Sequence, residues 1–442
     1  MQTIELKADF REFTLPSGVS DISAAVIPTV KGTWLMKYGK HAYYFYNFKK
    51  NKGFCVEISH KNILRPGFDK LKNVLTRTNP ELYGMKSLTG RYHYGFNVFE
   101  QMALMTVPHA VTELGNGRFI INLWSFFGYL VIDCVKRTVE YRVTDEEDQV
   151  LGSQQWFDVK TQELYYMTYT LSDSLKRIKD PHAEVSSAVM KREIASGKTS
   201  EVWKGQLSDY MHDILISVDR RYCVVCELGM FTDEKKDILP SKVLIVDMQA
   251  HRHWIISRFI VAAHAQFDPD EPHTIYFSNH NFQFKHANIL KTLINASYDI
   301  DFRGPAAVYK YELTPDGPRE CGLFTEPDLF RLTNIHVFRH RSRKILVAVG
   351  APDFLFIADA GTMKLIKKIR ISHPRNVQHL FRDVPCRVGT FSPSPDGEKV
   401  YVQTNKSFQI VDIDSGKATF SKELYFTHMC ANHMLTTHDV DW

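Results

Sequence analysis

Six segments of the chain open a run of alternating residues, and four of them carry a histidine in the same place. These read PHAVTEL at His109, MHDILIS at His212, AHAQFDP at His264 and NIHVFRH at His336. The other two openings are SQQWFDV at Gln154 and CRVGTFS at Arg387, and the tail CANHMLTTHDVDW adds His433 and His438. Neutral imidazoles that converge on one point are the commonest way to hold a transition metal. An all-histidine set suits iron, zinc, copper or nickel over magnesium or calcium. The other reading is structural, with each histidine hydrogen-bonded to a neighbouring backbone where two elements meet. Both stay open at this point.

Whether four distant histidines converge depends on the elements that carry them. One pattern recurs along the chain: alternating apolar residues, an acidic residue, a short turn, then another strand. It is read at Glu57, Asp133, Glu193, Asp247, Glu312, Asp359 and Asp412, most clearly in FQIVDIDSGKATF. Strand-and-turn units repeating about every 50 to 75 residues are the mark of a propeller. A lone four-stranded sheet cannot bury both faces, so such units stack around an axis. The spacing therefore predicts an all-β, seven-bladed β-propeller spanning residues 1–442 as a single domain. Innermost strands run along the axis, so the histidines at their openings meet there. The acidic residues are expected to hold backbone donors at the turns. Insertions at about 60–104, 171–190 and 279–305 are expected to roof one face of the ring. No WD dipeptide ends a blade, which speaks against a WD40 protein.

Composition narrows the partners. The chain is 44% hydrophobic and 24% charged, which suits a soluble fold with a real core. Its net charge of +5 is weak, and no basic block is interleaved with aromatics, so nucleic acid is not expected as a partner. The seven cysteines form no tight framework. Cys223 and Cys226 sit in an apolar strand, and reduced thiols fit a cytoplasmic protein. MQTIELKADFREF has neither the basic nor the apolar region of a signal peptide. The apolar stretch Phe119–Val135 is shorter than the roughly 20 residues of a membrane span. It reads better as two strands joined at Ser125–Gly128. No Ser-His-Asp order, P-loop, GxGxxG or HExxH is present, so common hydrolase, kinase and dehydrogenase readings lack support; the expected partner is a small-molecule substrate.

The segment AHAQFDPDEPHTIYFSNHN resembles the oligogalacturonate lyases, seven-bladed propellers that cleave pectin fragments by β-elimination at a metal site. His264, Phe267, Pro269, Phe277 and His280 match that family's blade, and TNIHVF (Thr333, His336) is similar to its next opening. The resemblance implies His336 as the base that abstracts a proton, Arg303 as its helper, and His280 within the site. The following blade opens here with Cys386–Arg387, where that family has a metal-binding histidine. A second likeness is to the carotenoid-cleaving oxygenases, propellers that hold Fe(II) with four axial histidines. The set His109, His212, His264 and His336 suits that count, and AHAQFDP is similar to one of their elements.

Three functions follow as expectations. The first is a metal-dependent enzyme acting on a small organic substrate by lyase-type proton abstraction and elimination. Its divalent transition metal, iron or manganese, would sit on His109, His212, His264 and His336. His336 would act as base, Arg303 would hold an anion, and His280 would complete the catalytic set. The second is a four-histidine iron oxygenase with a tunnel lined by Tyr83, Tyr92, Tyr94, Phe96 and Phe99. The third is an interaction scaffold without chemistry.

Overall fold

Short strands of alternating pattern, each ended by a turn, pair antiparallel with their sequence neighbours, and the computed structural model contains seven such sheets. It describes residues 1–14, 25–30, 40–78, 108–123, 126–176, 180, 182–207, 211–228, 239–284, 300–330, 332, 334–350, 353–372, 386, 388–404, 407–423 and 431–442. Five sheets have four strands and two have five, and each blade runs from an inner strand outward. The inner strands of blades 2 to 7 are Pro108–Gly115, Gln149–Asp158, Met211–Ile216, Ala265–Phe267, Ile335–His340 and Val388–Pro393. The fold is a seven-bladed β-propeller.

Blade 1 closes the ring with strands from both ends of the chain. Its inner strand is Ala431–Thr437, paired with Ala25–Val30. At the rim, Ala8–Thr14 adds to blade 1 and Gln2–Leu6 adds to blade 2. Apolar faces of adjacent blades then bury each other. Tyr222, Val224 and Cys226 of blade 4 pack with Phe277 and Tyr311 of blade 5. Tyr46 and Phe48 of blade 1 pack with Tyr401 and Phe408 of blade 7. Cys223 faces the other way, into the cluster shared with blades 1 to 3. The CVVC pair is thus split between two blade interfaces, as alternation along a strand requires.

Four of the seven marker carboxylates hold backbone donors at their turns as their position suggests, whereas Glu193 accepts from the Ser196 hydroxyl at 2.8 Å and Glu312 pairs with Arg319. Asp133 Oδ1 accepts from the amides of Val135 and Lys136 at 3.0 and 2.7 Å, and Asp247 Oδ1 from Gln249 and Ala250 at 3.1 and 2.9 Å. Asp359 and Asp412 do the same for Thr362 and Ser415. Glu57 is a correction. It lies within the strand Lys52–Ser59, one strand further out, and pairs with Arg11 at 3.3 Å. The equivalent turn in blade 1 is held by Asn47, whose Oδ1 accepts from Lys50 N at 3.1 Å. An amide oxygen serves the same backbone donor, so the acidic pattern skips this blade.

Connectivity roots all three insertions at the face where the inner strands begin. One follows the fourth strand of blade 1, and the others join the second and third strands of blades 3 and 5. The first contains the helix His60–Thr78, with Ile63 and Val74 fully buried. Lys70 Nζ donates to Glu146 O at 2.9 Å and Asn73 to Glu147 at 2.6 Å, tying the helix to the link between blades 2 and 3. The second insertion is shorter than expected, because the strand Val185–Glu193 starts inside it after the helix Leu171–Lys176. The third holds a small ribbon, Phe282–Phe284 with Ile300–Phe302. Tyr83, Tyr92, Tyr94, Phe96 and Phe99 lie outside the described residues. No helix among the described residues is long and apolar enough to cross a membrane.

Candidate functional site

Three inner strands slip register at a histidine. Pairing shifts between Pro108 and Val111 around His109, between Met211 and Asp213 around His212, and between Ala431 and Met434 around His433. A bulge of this kind turns a side chain out of the ordinary pleat, and bulges concentrate beside active sites. The outcome is convergence. Ligand nitrogens of His109, His212 and His433, from blades 2, 4 and 1, all lie within 4.8 Å of one another. His109 Nε2 and His212 Nε2 share a hydrogen bond of 2.9 Å. The ring of His433 sits 4.4 Å from that of His109 and 6.0 Å from that of His212.

Neighbouring groups fix which nitrogen of His212 faces the centre. Its Nδ1 lies 2.8 Å from the carbonyl of Ala263, an acceptor only, so Nδ1 carries the proton. The neutral ring then keeps its lone pair on Nε2, pointed at His109. This backbone-anchored tautomer is the usual support of a metal-binding histidine.

A second layer adjoins the three. The ring of His264 lies 4.8 Å from His212 and 4.9 Å from His433. Its Nδ1 is 4.0 Å from Oδ2 of Asp213. Asp213 is 4% exposed, and burial pushes its carboxyl up to about 7, against the pull of the Ala265 and Ile214 amides. His280, just past the strand Thr274–Asn279, places its ring 5.7 Å from His264. It is buried, neither ring nitrogen has a hydrogen-bond partner among the described residues, and desolvation lowers its pKa to about 3. Among the described residues, these five imidazoles and the Asp213 carboxylate therefore gather at one end of the axis.

The sequence-derived set is only partly assembled. His109, His212 and His264 come together, with His280 beside them. Of the four expected ligands, only His109 and His212 belong to the group able to share an ion, which His433 completes; His264 adjoins that group, and His336 does not enter it. His336 lies on the strand Ile335–His340, which pairs in regular register, without the slip found at His109, His212 and His433. Its ring packs on Phe391 of blade 7 at 4.9 Å, and Asn334 Nδ2 lies 3.5 Å from its Nε2. Burial lowers its pKa to about 4, so it too is neutral. Arg303 is exposed, and its amide donates to Asn281 O. Gln154 lies mid-strand in a bulge between Leu151 and Gln155 rather than at a strand opening. Thr333 and Arg387 fall outside the described residues.

Sequence reading finds His433 in the tail but leaves it out of the metal set, because its strand closes blade 1 from the far end of the chain. A signal existed, since HMLTT repeats the order of HAVTE after His109. Phe267 and Phe277 of the lyase-like segment are core residues, and Asp268 holds the intervening turn through the amides of Asp270 and Glu271.

No protein-family model matches the chain, and no curated protein matches it. Among solved structures, one described as "Crystal Structure of Mitotic Checkpoint Complex" aligns with a TM-score of 0.45 at 9% identity. The alignment covers 74% of this chain and 79% of that one. At that score and identity the likeness has no bearing on function, and the axial histidines stand on their own geometry.

Proposed function

We propose that this propeller is a metal-dependent enzyme holding a divalent transition metal, iron or manganese, at the axial histidines and acting on a small organic substrate. One observation carries the reading: His109, His212 and His433 reach a common point from three blades, with the His212 lone pair fixed inward by Ala263. When bound, such an ion supplies Lewis acidity toward a substrate oxygen. The resemblance to oligogalacturonate lyases favours proton abstraction next to a carboxylate followed by elimination. In that chemistry His280, uncharged and with its ring 5.7 Å from that of His264, is the candidate base, ahead of His336. A second reading, a four-histidine iron oxygenase, is favoured by the position of His264 against two of the three rings.

Elemental analysis of the purified full chain tests the proposal. About one iron or manganese per chain is expected, lost in His109→Ala and in His433→Ala. Manganese with an ultraviolet-absorbing unsaturated product from short pectin fragments supports the lyase, whereas iron with substrate-dependent oxygen uptake supports the oxygenase. Protein that stays metal-free after incubation with both ions rejects the proposal and leaves the scaffold reading.

A further inference from the structure

Blades 4 and 5 grip the backbone on both sides of one histidine. His212 Nδ1 donates to the carbonyl of Ala263, and the amide of Ala265 donates to Asp213 Oδ2 at 3.2 Å. Between those two residues lies His264. Its own main chain is held as well, with its amide on Ser278 Oγ at 3.0 Å and its carbonyl accepting from Ser278 N at 2.8 Å. The ring is left little freedom except rotation about its own bonds.

Asp213 is a buried carboxylate of this layer, and it leaves the backbone at the same bulge as His212. A buried carboxylate is costly unless its oxygens are occupied. Oδ2 has the Ala265 amide, but Oδ1 is buried and has no hydrogen-bond partner among the described residues. The nearest described ring nitrogen to this carboxylate is His264 Nδ1, 4.0 Å from Oδ2. A side-chain rotation of about 1 Å closes that gap to a hydrogen bond. With Nδ1 so engaged, the lone pair of the neutral ring lies on Nε2. The ring already stands within 5 Å of His212 and His433.

Resting on the metal reading above, we infer that His264 is a fourth ligand of the axial ion and that Asp213 is its positioning residue, holding Nδ1 so that Nε2 faces the centre. Partners of this kind typically change metal affinity by about 10- to 100-fold. They also set ligand orientation, which the electronic spectrum of the ion reports. Asp213 does not touch the ion itself.

Cobalt(II) alone serves as the probe, titrated into metal-free full-length protein and followed by its visible absorption. Wild type is expected to bind one equivalent with a spectrum of an imidazole-bound ion. Asp213→Asn should weaken binding by about 10- to 100-fold and alter the band shape, since the amide can present a donor where His264 needs an acceptor. His264→Ala should weaken it at least as much and shift the bands in the same sense, while circular dichroism of both variants stays that of wild type. His264→Ala keeps the inference testable if Asp213→Asn fails to fold. Wild-type affinity and spectrum in the folded variants overturn this inference alone and leave the three-histidine centre standing. A wild type that takes up no cobalt overturns the metal reading and this inference with it.

Discussion

His336 reached the axis but not the cluster, and that placement has a consequence for acid stability. Its described neighbours, the Asn334 amide and the ring and main chain of Phe391, are all uncharged, and burial holds its pKa near 4, against an ordinary value near 6.5. Between those two values the unfolded chain binds a proton that the folded chain does not. Stability from this group is therefore complete above about pH 6.5 and falls as pH drops toward 4. Urea midpoints at pH 7 and pH 4.5 should converge in His336→Gln relative to wild type, because the amide cannot titrate. An equal acid loss in both proteins would show that His336 is solvated. The same scale marks what a sequence can reveal. Asp133, Asp247, Asp359 and Asp412 were legible because a turn needs an acceptor at that spot whatever surrounds it. Asn47 was not, since the amide that replaces a carboxylate looks like any other asparagine. The chemistry of His212 was half legible: its residue type is in the sequence, but its tautomer depends on a carbonyl 51 positions away.

At the scale of elements, pleat and repeat can be read from periodicity, whereas the slips in register cannot. The shifts around His109, His212 and His433 arise from pairing with a neighbouring strand, and the residues on either side alternate as in any strand. His336 shows the converse, a histidine in the expected place on a strand with no slip. The helix His60–Thr78 shows how an insertion is seated over the histidine face. Gly67 meets Phe126 and Phe127 so closely that an added Cβ would lie 2.2 Å from Phe126 Cζ and 2.9 Å from Phe127 Cδ2. Two effects oppose each other in Gly67→Ala. Helix propensity favours alanine by about 1 kcal/mol. Overpacking against two buried rings costs about 1–3 kcal/mol. The rings are fully enclosed at 1% and 0% exposure, so overpacking should win. Equilibrium unfolding in urea should show a net loss of up to about 2 kcal/mol. A gain would mean that the helix rides clear of the blades.

At the scale of the whole molecule, the same strand that closes the ring carries the residue that completes the site. Ala431–Thr437 is the inner strand of blade 1, delivered from the far end of the chain, and His433 sits on it. The chain beyond it is pinned between blades 1 and 2. Asn47 Nδ2 donates to Val440 O at 2.9 Å, Asp439 accepts from Gly117 N at 2.7 Å, and Trp442 packs on Phe45, Phe54 and Phe119. An ion on His109, His212 and His433 would join this closing strand to blades 2 and 4. Ligand binding and ring closure would then be one equilibrium, because opening blade 1 removes a ligand. A ligand that binds only the closed ring stabilises it by about 2.7 kcal/mol at a hundredfold excess over its Kd. Thermal melts should therefore rise when cobalt(II) is added to metal-free wild type and fall back with a chelator. In His433→Ala the closing strand remains but its ligand is gone, so the melt should lose most of its response to cobalt. If His433→Ala responds as wild type does, the ion is held without blade 1, and closure of the ring is independent of the site.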